Sequence, residues 1–253
     1  MFNVFRARIH QKHRTIDFPK SAPVLPDRFR GLLSYDAALC QAECEACIPV
    51  CPTDAIDLHE PGIALDLGKC LFCGACEAAC PTGALRHSTE FRMATRTRED
   101  LLLSGEPLKL AQALEAKAKK LFGRSLRLRV VSAGGCNACE ADINVLSTVV
   151  FDIARFGIDV VASPRHADAL LLTGPVTENM RLALEKTYEA IPAPKLVIAS
   201  GACAISGGPF AGLPEQHDGG AGLLKVDLYI PGCPPHPLTV LDGLLRLLDR
   251  LDG

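Results

Sequence analysis

Apolar positions change rhythm part-way along the chain. From Leu126 onward, short β-rich runs alternate with stretches of helical spacing: strands are predicted at Leu126 to Ser132, Asp159 to Ala162, Ala169 to Thr173, Lys195 to Ser200 and Val226 to Ile230. Between or after them, Glu140 to Phe156, Glu178 to Ala190 and Pro237 to Leu251 read as helices, as in the stripe Ile143, Leu146, Val150 and Ile153. Such alternation favours a mostly parallel sheet covered on both faces. Ligands of these sheets gather in the loops that leave the carboxyl ends of the strands. Upstream, Ile56 to Leu67 reads as a short hairpin with Pro61-Gly62 at its turn. Pro107 to Leu121 reads as a connecting helix, with Leu110, Leu114 and Leu121 on one stripe and Gly123 as its stop.

Composition narrows the possibilities. A chain of 253 residues that is 48% apolar has material for more than one folded unit. It has no tryptophan, 5% aromatic residues and a net charge of −2, so a nucleic-acid partner is not expected. No apolar run approaches the roughly 20 residues of a membrane helix, and Met1 to His13 shows neither the apolar stretch nor the cleavage site of a signal peptide. Charge changes sign along the chain: residues 1–30 carry seven Lys/Arg and two Asp, residues 31–85 one Lys and eight acids, residues 86–129 eleven Lys/Arg and five acids. The basic flanks suit either a solvated surface or docking to an acidic partner or anionic lipid.

Twelve cysteines change the picture most. Without an export signal the chain is expected where thiols stay reduced, which makes metal ligation the leading explanation and disulfides a poor one. Cys51-Pro52-Thr53-Asp54-Ala55-Ile56 is echoed by Cys80-Pro81-Thr82-Gly83-Ala84-Leu85, an internal repeat that implies two related halves. Its second half is Cys70-x-x-Cys73-x-x-Cys76-x-x-x-Cys80-Pro81, the bacterial ferredoxin run, whose fourth cysteine ligates the other cluster of a pair. The first half, Cys40-x-x-x-Cys44-x-x-Cys47-x-x-x-Cys51-Pro52, has one extra residue after Cys40. Two zinc sites of four thiolates each are the alternative, but the close triple spacing and the prolines after both fourth cysteines suit cubanes better. In the later portion, Gly134-Gly135-Cys136-Asn137-Ala138-Cys139 follows a strand and opens a helix, where glycines admit a bulky inorganic core and helix-start amides favour an anion. Cys203 and Cys233 each sit in a turn-forming loop after a strand; taken alone, each would more often be a small buried hydrophobe. No G-x-G-x-x-G follows a strand and no Walker sequence occurs, so a nucleotide site has no support.

Residues 31–90 resemble two-cluster ferredoxins. That resemblance implies one [4Fe–4S] cluster on Cys40, Cys44, Cys47 and Cys80 and another on Cys51, Cys70, Cys73 and Cys76. Further on, Gly134-Gly135-Cys136, Arg155-Phe156-Gly157, Ser163-Pro164-Arg165-His166-Ala167-Asp168, Gly174-Pro175-Val176-Thr177, Gly201-Ala202-Cys203 and Tyr229-Ile230-Pro231-Gly232-Cys233-Pro234-Pro235 resemble the small electron-transfer subunit shared by respiratory complex I and group 4 [NiFe]-hydrogenases. The chain thus looks like a fusion of two neighbouring subunits. The expected organisation is a basic segment 1–30, an α+β two-cluster ferredoxin-type domain 31–90, a linker with its helix 91–124, and an α/β flavodoxin-like domain 125–253. The resemblance further implies a third [4Fe–4S] cluster, held by Cys136, Cys139, Cys203 and Cys233 next to the active site of a separate nickel–iron large subunit. Complex I relatives carry adjacent cysteines where this chain has Cys136-Asn137-Ala138-Cys139, so the spacing resembles the hydrogenase side. The function implied is electron relay in a membrane-associated hydrogenase of the formate-hydrogenlyase or energy-converting kind. Its partners would be the large subunit, membrane-embedded subunits and an electron donor subunit or soluble ferredoxin. It would sit peripherally on the cytoplasmic side of the membrane, and the isolated chain would not turn over. A complex I-type subunit passing electrons to quinone is the alternative. Glu140, beside a ligand cysteine, is a candidate proton relay, although an acid in a helix's first turn is usually a stabilising surface feature. Arg165, His166 and His236 are expected to flank the cluster rim.

Overall fold

The computed structural model describes residues 2–41, 43–59, 62–122 and 125–251. Its first element is an exposed helix, α1 (Phe2–Gln11). Residues 33–103 then fold around the cysteine repeat. Strand β1 (Leu33–Tyr35) pairs antiparallel with β4 (Leu85–His87), while β2 (Ile56–His59), β3 (Gly62–Asp66) and β5 (Leu102–Leu103) form a second antiparallel sheet. The expected hairpin is present; its Pro61 lies outside the described residues. A one-turn helix, α2 (Ala75–Ala79), carries Cys76, and the interior between the two small sheets is filled by Leu33, Ile56, Ile63, Leu65 and Leu85 together with Cys47 and Cys76.

After a short helix α3 (Ala116–Phe122), the chain builds a parallel sheet of five strands: β6 (Leu126–Ser132), β7 (Ile158–Val160), β8 (Ala169–Thr173), β9 (Leu196–Ser200) and β10 (Leu228–Ile230), in the order β10-β9-β8-β6-β7. This is the flavodoxin-like order, with its switch point between β6 and β8. The helices are α4 (Ala138–Val145), α5 (Glu178–Ala190), α6 (Ala202–Ser206) and α7 (Pro237–Leu247). Every residue of β8 and β9 is buried, as a central parallel strand requires. Successive side chains serve opposite faces. Leu171 and Ile198 pack under α7 with Leu241, Leu244 and Leu245, while Leu170, Leu172 and Val197 face Leu184 of α5 and Ile205 of α6.

That second face also receives Leu67, Phe72, Met93 and Leu101, so the cysteine-repeat unit and the parallel sheet share one continuous core. Residues 91–114 are correspondingly not a free tether. Phe91, Ala94, Ala111 and Leu114 are buried on the α7 side, and Thr95 bridges to Tyr229. The helix expected from Pro107 is confined to Ala116–Phe122, because the Ala111 amide donates to Ala94 O (2.7 Å) and the Leu114 amide to Leu247 O (3.0 Å) instead of to a helical turn. Gly123, its expected stop, lies outside the described residues. The helix expected over Glu140 to Phe156 ends at Val145 for a related reason: the carbonyls of Val149 and Val150 accept from Thr15 Oγ1 (2.8 Å) and the Ile16 amide (2.9 Å). The basic N-terminal segment is thereby strapped across the parallel-sheet unit before the chain enters the cysteine repeat.

Candidate metal centres

The extended antiparallel backbone on either side of the repeat leaves its two Cys-Pro corners facing inward, each beside the loop of the other half. Cys40, Cys44, Cys47 and Cys80 line one small cavity. Cys51, Cys70, Cys73 and Cys76 line a second. Each set draws three cysteines from one half of the repeat and one from the other, and Cys40 lines its cavity despite the extra residue of spacing. Backbone amides are aimed at the sulfurs: Ala55 N–H donates to Cys51 Sγ (3.2 Å) and Phe72 N–H to Cys70 Sγ (3.3 Å). Such bonds stabilise sulfur-borne negative charge and help to set cluster potentials.

The third set is built on loops at the carboxyl ends of three parallel strands. Cys136 and Cys139 follow β6 and enter α4, Cys203 lies in α6 after β9, and Cys233 follows β10. Cys139 Sγ packs so close to Gly201 that a Cβ built there would lie 2.7 Å from the sulfur. Cys136 and Cys233 are exposed, so this set opens at the surface.

Electrostatics groups the thiols in the same way. Burial pushes Cys70 up to about 12, helped by repulsion from Cys76, Cys51 and Cys73, and pushes Cys76 up to about 11. Burial likewise raises Cys47, which feels Cys40, Cys44 and Cys80. Cys139 is pushed up to about 12 by burial and then by Glu140, Cys203, Cys233 and Cys136; Cys203 rises to about 11. Burial opposes ionisation at Cys80 too, but donors from Leu85, Thr82 and Ala84 outweigh it and bring that thiol down to about 7. Four thiolates gathered around one space repel one another unless a cationic core lies between them, a core that an iron–sulfur cube would supply. Four-thiolate zinc would need sulfurs about 2.3 Å from a single point. Each ferredoxin set instead lines a cavity shared with apolar side chains.

The second and third sets are neighbours. Burial raises the Cys233 thiol, and repulsion from Cys136 and from Cys73 of the repeat unit adds to it. Ser206 Oγ, at the end of α6, donates to Gly68 O (3.0 Å), which holds the loop before Cys70 against the helix that carries Cys203. Beside that loop, Arg98 Nη2 donates to Asp66 Oδ2 (2.6 Å), and Asp66 Oδ1 accepts the Gly68 amide (2.9 Å).

Glu140 is an anchor in this arrangement. Thr173 Oγ1, at the carboxyl end of β8, donates to its Oε1 (2.5 Å). Burial raises the carboxyl, but the hydrogen bonds from Ser132 and Thr173 outweigh it and hold the group below its ordinary value. Arg165 and His166 are not at the rim. They form an exposed turn ahead of β8, at its amino end, and parallel strand direction puts that turn across the sheet from the cysteine loops. His236 follows the Cys233 loop, where its Nδ1 accepts the Leu238 amide (3.2 Å) and caps α7. The spacing of cysteines gave no sign of Glu77 and His87, whose side chains meet at 2.8 Å (Oε2 to Nδ1) beside the second cavity. Their pairing depends on β4 running back past α2, which no local pattern encodes.

Residues 136–247 match the family model described as NADH ubiquinone oxidoreductase, 20 Kd subunit, and residues 39–84 match a 4Fe-4S dicluster domain. A probable membrane-bound hydrogenase subunit of Pyrococcus furiosus is 41% identical over 136 residues, covering 54% of this chain and 81% of that protein. The chain belongs to the 20 kDa subunit family. Formate hydrogenlyase subunit 7 of Escherichia coli is 44% identical over 140 residues, 55% of either protein, so the chain matches only about half of that relative's length. An NADH-quinone oxidoreductase subunit of Clostridium beijerinckii is 43% identical over 118 residues, 46% of this chain and 70% of that protein. Among solved structures, a chain of an archaeal membrane-bound sulfane sulfur reductase is 33% identical, with a TM-score of 0.47, covering 55% of this chain and 77% of that one. This member of the family thus carries a 4Fe-4S dicluster domain ahead of its 20 kDa-subunit domain.

Proposed function

We propose that this chain is the electron-transfer subunit of a membrane-associated group 4 [NiFe]-hydrogenase, of the formate-hydrogenlyase or energy-converting kind. Cys40, Cys44, Cys47 and Cys80 would hold one [4Fe–4S] cluster, Cys51, Cys70, Cys73 and Cys76 a second, and Cys136, Cys139, Cys203 and Cys233 a third. When bound, such clusters accept and release single electrons. The observation that carries the reading is the run of three cysteine sets, the second adjoining the third through Cys73 and Cys233 and the third opening at the surface. The chain's own residues gather the thiols around the two inner cavities and aim amides at the sulfurs. The exposed Cys136 and Cys233 give a large subunit a face to meet, and Glu140 beside Cys139 is the carboxylate that would exchange a proton there.

A peripheral place on the membrane's cytoplasmic side fits α1, all of whose residues are exposed. Phe2, Phe5 and Ile9 share one side of it, and Arg6, Arg8, Lys12 and Arg14 lie on or just after it without an acid before Asp17. Apolar stripe and basic flank together suit the headgroup region of an anionic leaflet. No helix of the described residues is long and apolar enough to cross a membrane, so membrane-embedded partners would supply the span.

The rival is a complex I-type subunit that delivers electrons to quinone, since relatives of both kinds match at nearly equal identity. The Cys136-x-x-Cys139 spacing favours the hydrogenase. The test is hydrogen evolution by the intact complex from a reduced low-potential donor. Evolution that depends on Cys139 supports the proposal, and quinone reduction without hydrogen overturns it in favour of the rival.

A further inference from the structure

His87 is nearly enclosed, its side chain 3% exposed, at the end of β4 opposite Leu33 of β1. Its two ring nitrogens face different surroundings. Nδ1 meets Glu77 Oε2 at 2.8 Å, and the same oxygen accepts the His87 backbone amide at 3.3 Å. That bond holds the Glu77 carboxyl below its ordinary value. Nε2 is buried and has no hydrogen-bond partner. Leaving a buried nitrogen unpartnered is costly, so its persistence calls for an occupant. His87 lines the second cavity, whose other polar lining is mainly the thiols of Cys51, Cys70, Cys73 and Cys76.

We infer that His87 donates an Nε2–H hydrogen bond to sulfur of the cluster in this cavity and thereby raises that cluster's reduction potential; the inference rests on the proposed site. Glu77 Oε2 engages Nδ1, which leaves Nε2 as the ring nitrogen free to meet sulfur. Nε2 then needs a proton of its own to face anionic sulfur. Reduction adds negative charge on the cluster side, and a donor fixed there stabilises the reduced state more than the oxidised one. Phe72, whose ring lies 6.3 Å from that of His87, keeps the imidazole plane in place. Among the described residues, the first cavity is lined by no histidine; the two ferredoxin-type clusters are therefore set to different potentials, the one beside Cys233 being the better electron acceptor.

The experiment uses the full chain, purified anaerobically with its iron, as wild type, His87→Leu, His87→Gln and Cys70→Ser. Redox titration followed by electron paramagnetic resonance reads each cluster, and iron analysis reads occupancy. The signal that Cys70→Ser removes identifies the cluster in question. In His87→Leu its reduction equilibrium should fall roughly tenfold, a shift of about 59 mV for a one-electron couple, while the other signals stay put. His87→Gln, which retains an N–H donor, should recover part of the shift. Equal potentials in wild type and His87→Leu at equal iron content overturn the role of His87 and leave the site intact. A Cys70→Ser protein that keeps every signal overturns the site itself. If His87→Leu loses iron, pulsed resonance on ¹⁵N-histidine-labelled wild type decides: coupling of one histidine nitrogen to the assigned signal is expected, and its absence refutes the bond.

Discussion

Gly201→Ala separates a backbone requirement from a ligand requirement at the third cysteine set. Gly201 has φ +95° and ψ 154°, a region that side-chain-bearing residues avoid. A Cβ there would stand 2.7 Å from Cys139 Sγ, about 0.7 Å short of ordinary contact. The backbone cost alone is on the order of 1–3 kcal/mol. Metal–ligand distances hold within about 0.2 Å, so a sulfur pushed aside by several tenths of an ångström ceases to ligate. Gly105→Ala supplies the control: φ is +99° and nothing lies within 4 Å of the added carbon, so it carries positive-φ strain with no sulfur nearby. Iron and acid-labile sulfide, measured on both variants after anaerobic purification, should fall by about four per chain in Gly201→Ala and stay unchanged in Gly105→Ala. Full iron in Gly201→Ala would refute the placement of Cys139 as a ligand. Equal loss in both variants would show that backbone strain, not sulfur displacement, empties the site.

Other perturbations follow from the same structure. Leu171→Ala, in the centre of β8 and fully buried, should cost about 2–5 kcal/mol and lower the urea midpoint without altering the spacing of cluster potentials. Asp242→Ala strands Arg246, whose Nε donates to Asp242 Oδ2 at 2.7 Å inside α7; it should cost about 3 kcal/mol or more, and replacing both by Leu should cost less than the two single changes together, as a double-mutant cycle of thermal midpoints would read. Glu178 is held below its ordinary carboxyl value, first by its hydrogen bond with His217, so this bond stabilises the fold above that ordinary value and is lost as the pH falls through the depressed one. Glu178→Gln should therefore flatten the acid limb of the thermal midpoint below about pH 5. Deleting residues 2–11 should abolish binding to anionic vesicles and leave iron content unchanged, since no residue of α1 is buried; unchanged vesicle binding would remove α1 from the membrane-facing role.

The parallel sheet was legible because β-rich runs alternate with helical spacing: β6, β8 and α5 fall within the bounds that periodicity predicts. Where periodicity overreached, at the ends of α3 and α4, tertiary partners claimed the backbone groups that a longer helix would have used. The ferredoxin run was legible through spacing and repeat symmetry, whereas the division of its cysteines into two sets, and the grouping of Cys203 and Cys233 with Cys136 and Cys139, came from family resemblance, because those residues are far apart in sequence. His87 and the Asp66–Arg98 pair were not legible, because each is defined by a contact between segments that local pattern cannot join. Arg165 and His166 lie close in sequence to strand β8 but at its amino end, and a sequence motif does not record which end of a strand it borders.

How much iron the folded chain holds is the central quantity. Metal and sulfide analysis of the anaerobically purified full-length protein, with its resonance spectrum after stepwise reduction, should give about twelve of each per chain in three separately reducible cubane signals. About eight with two signals would remove the third cysteine set from the wire, and a colourless zinc protein would contradict the iron–sulfur reading altogether.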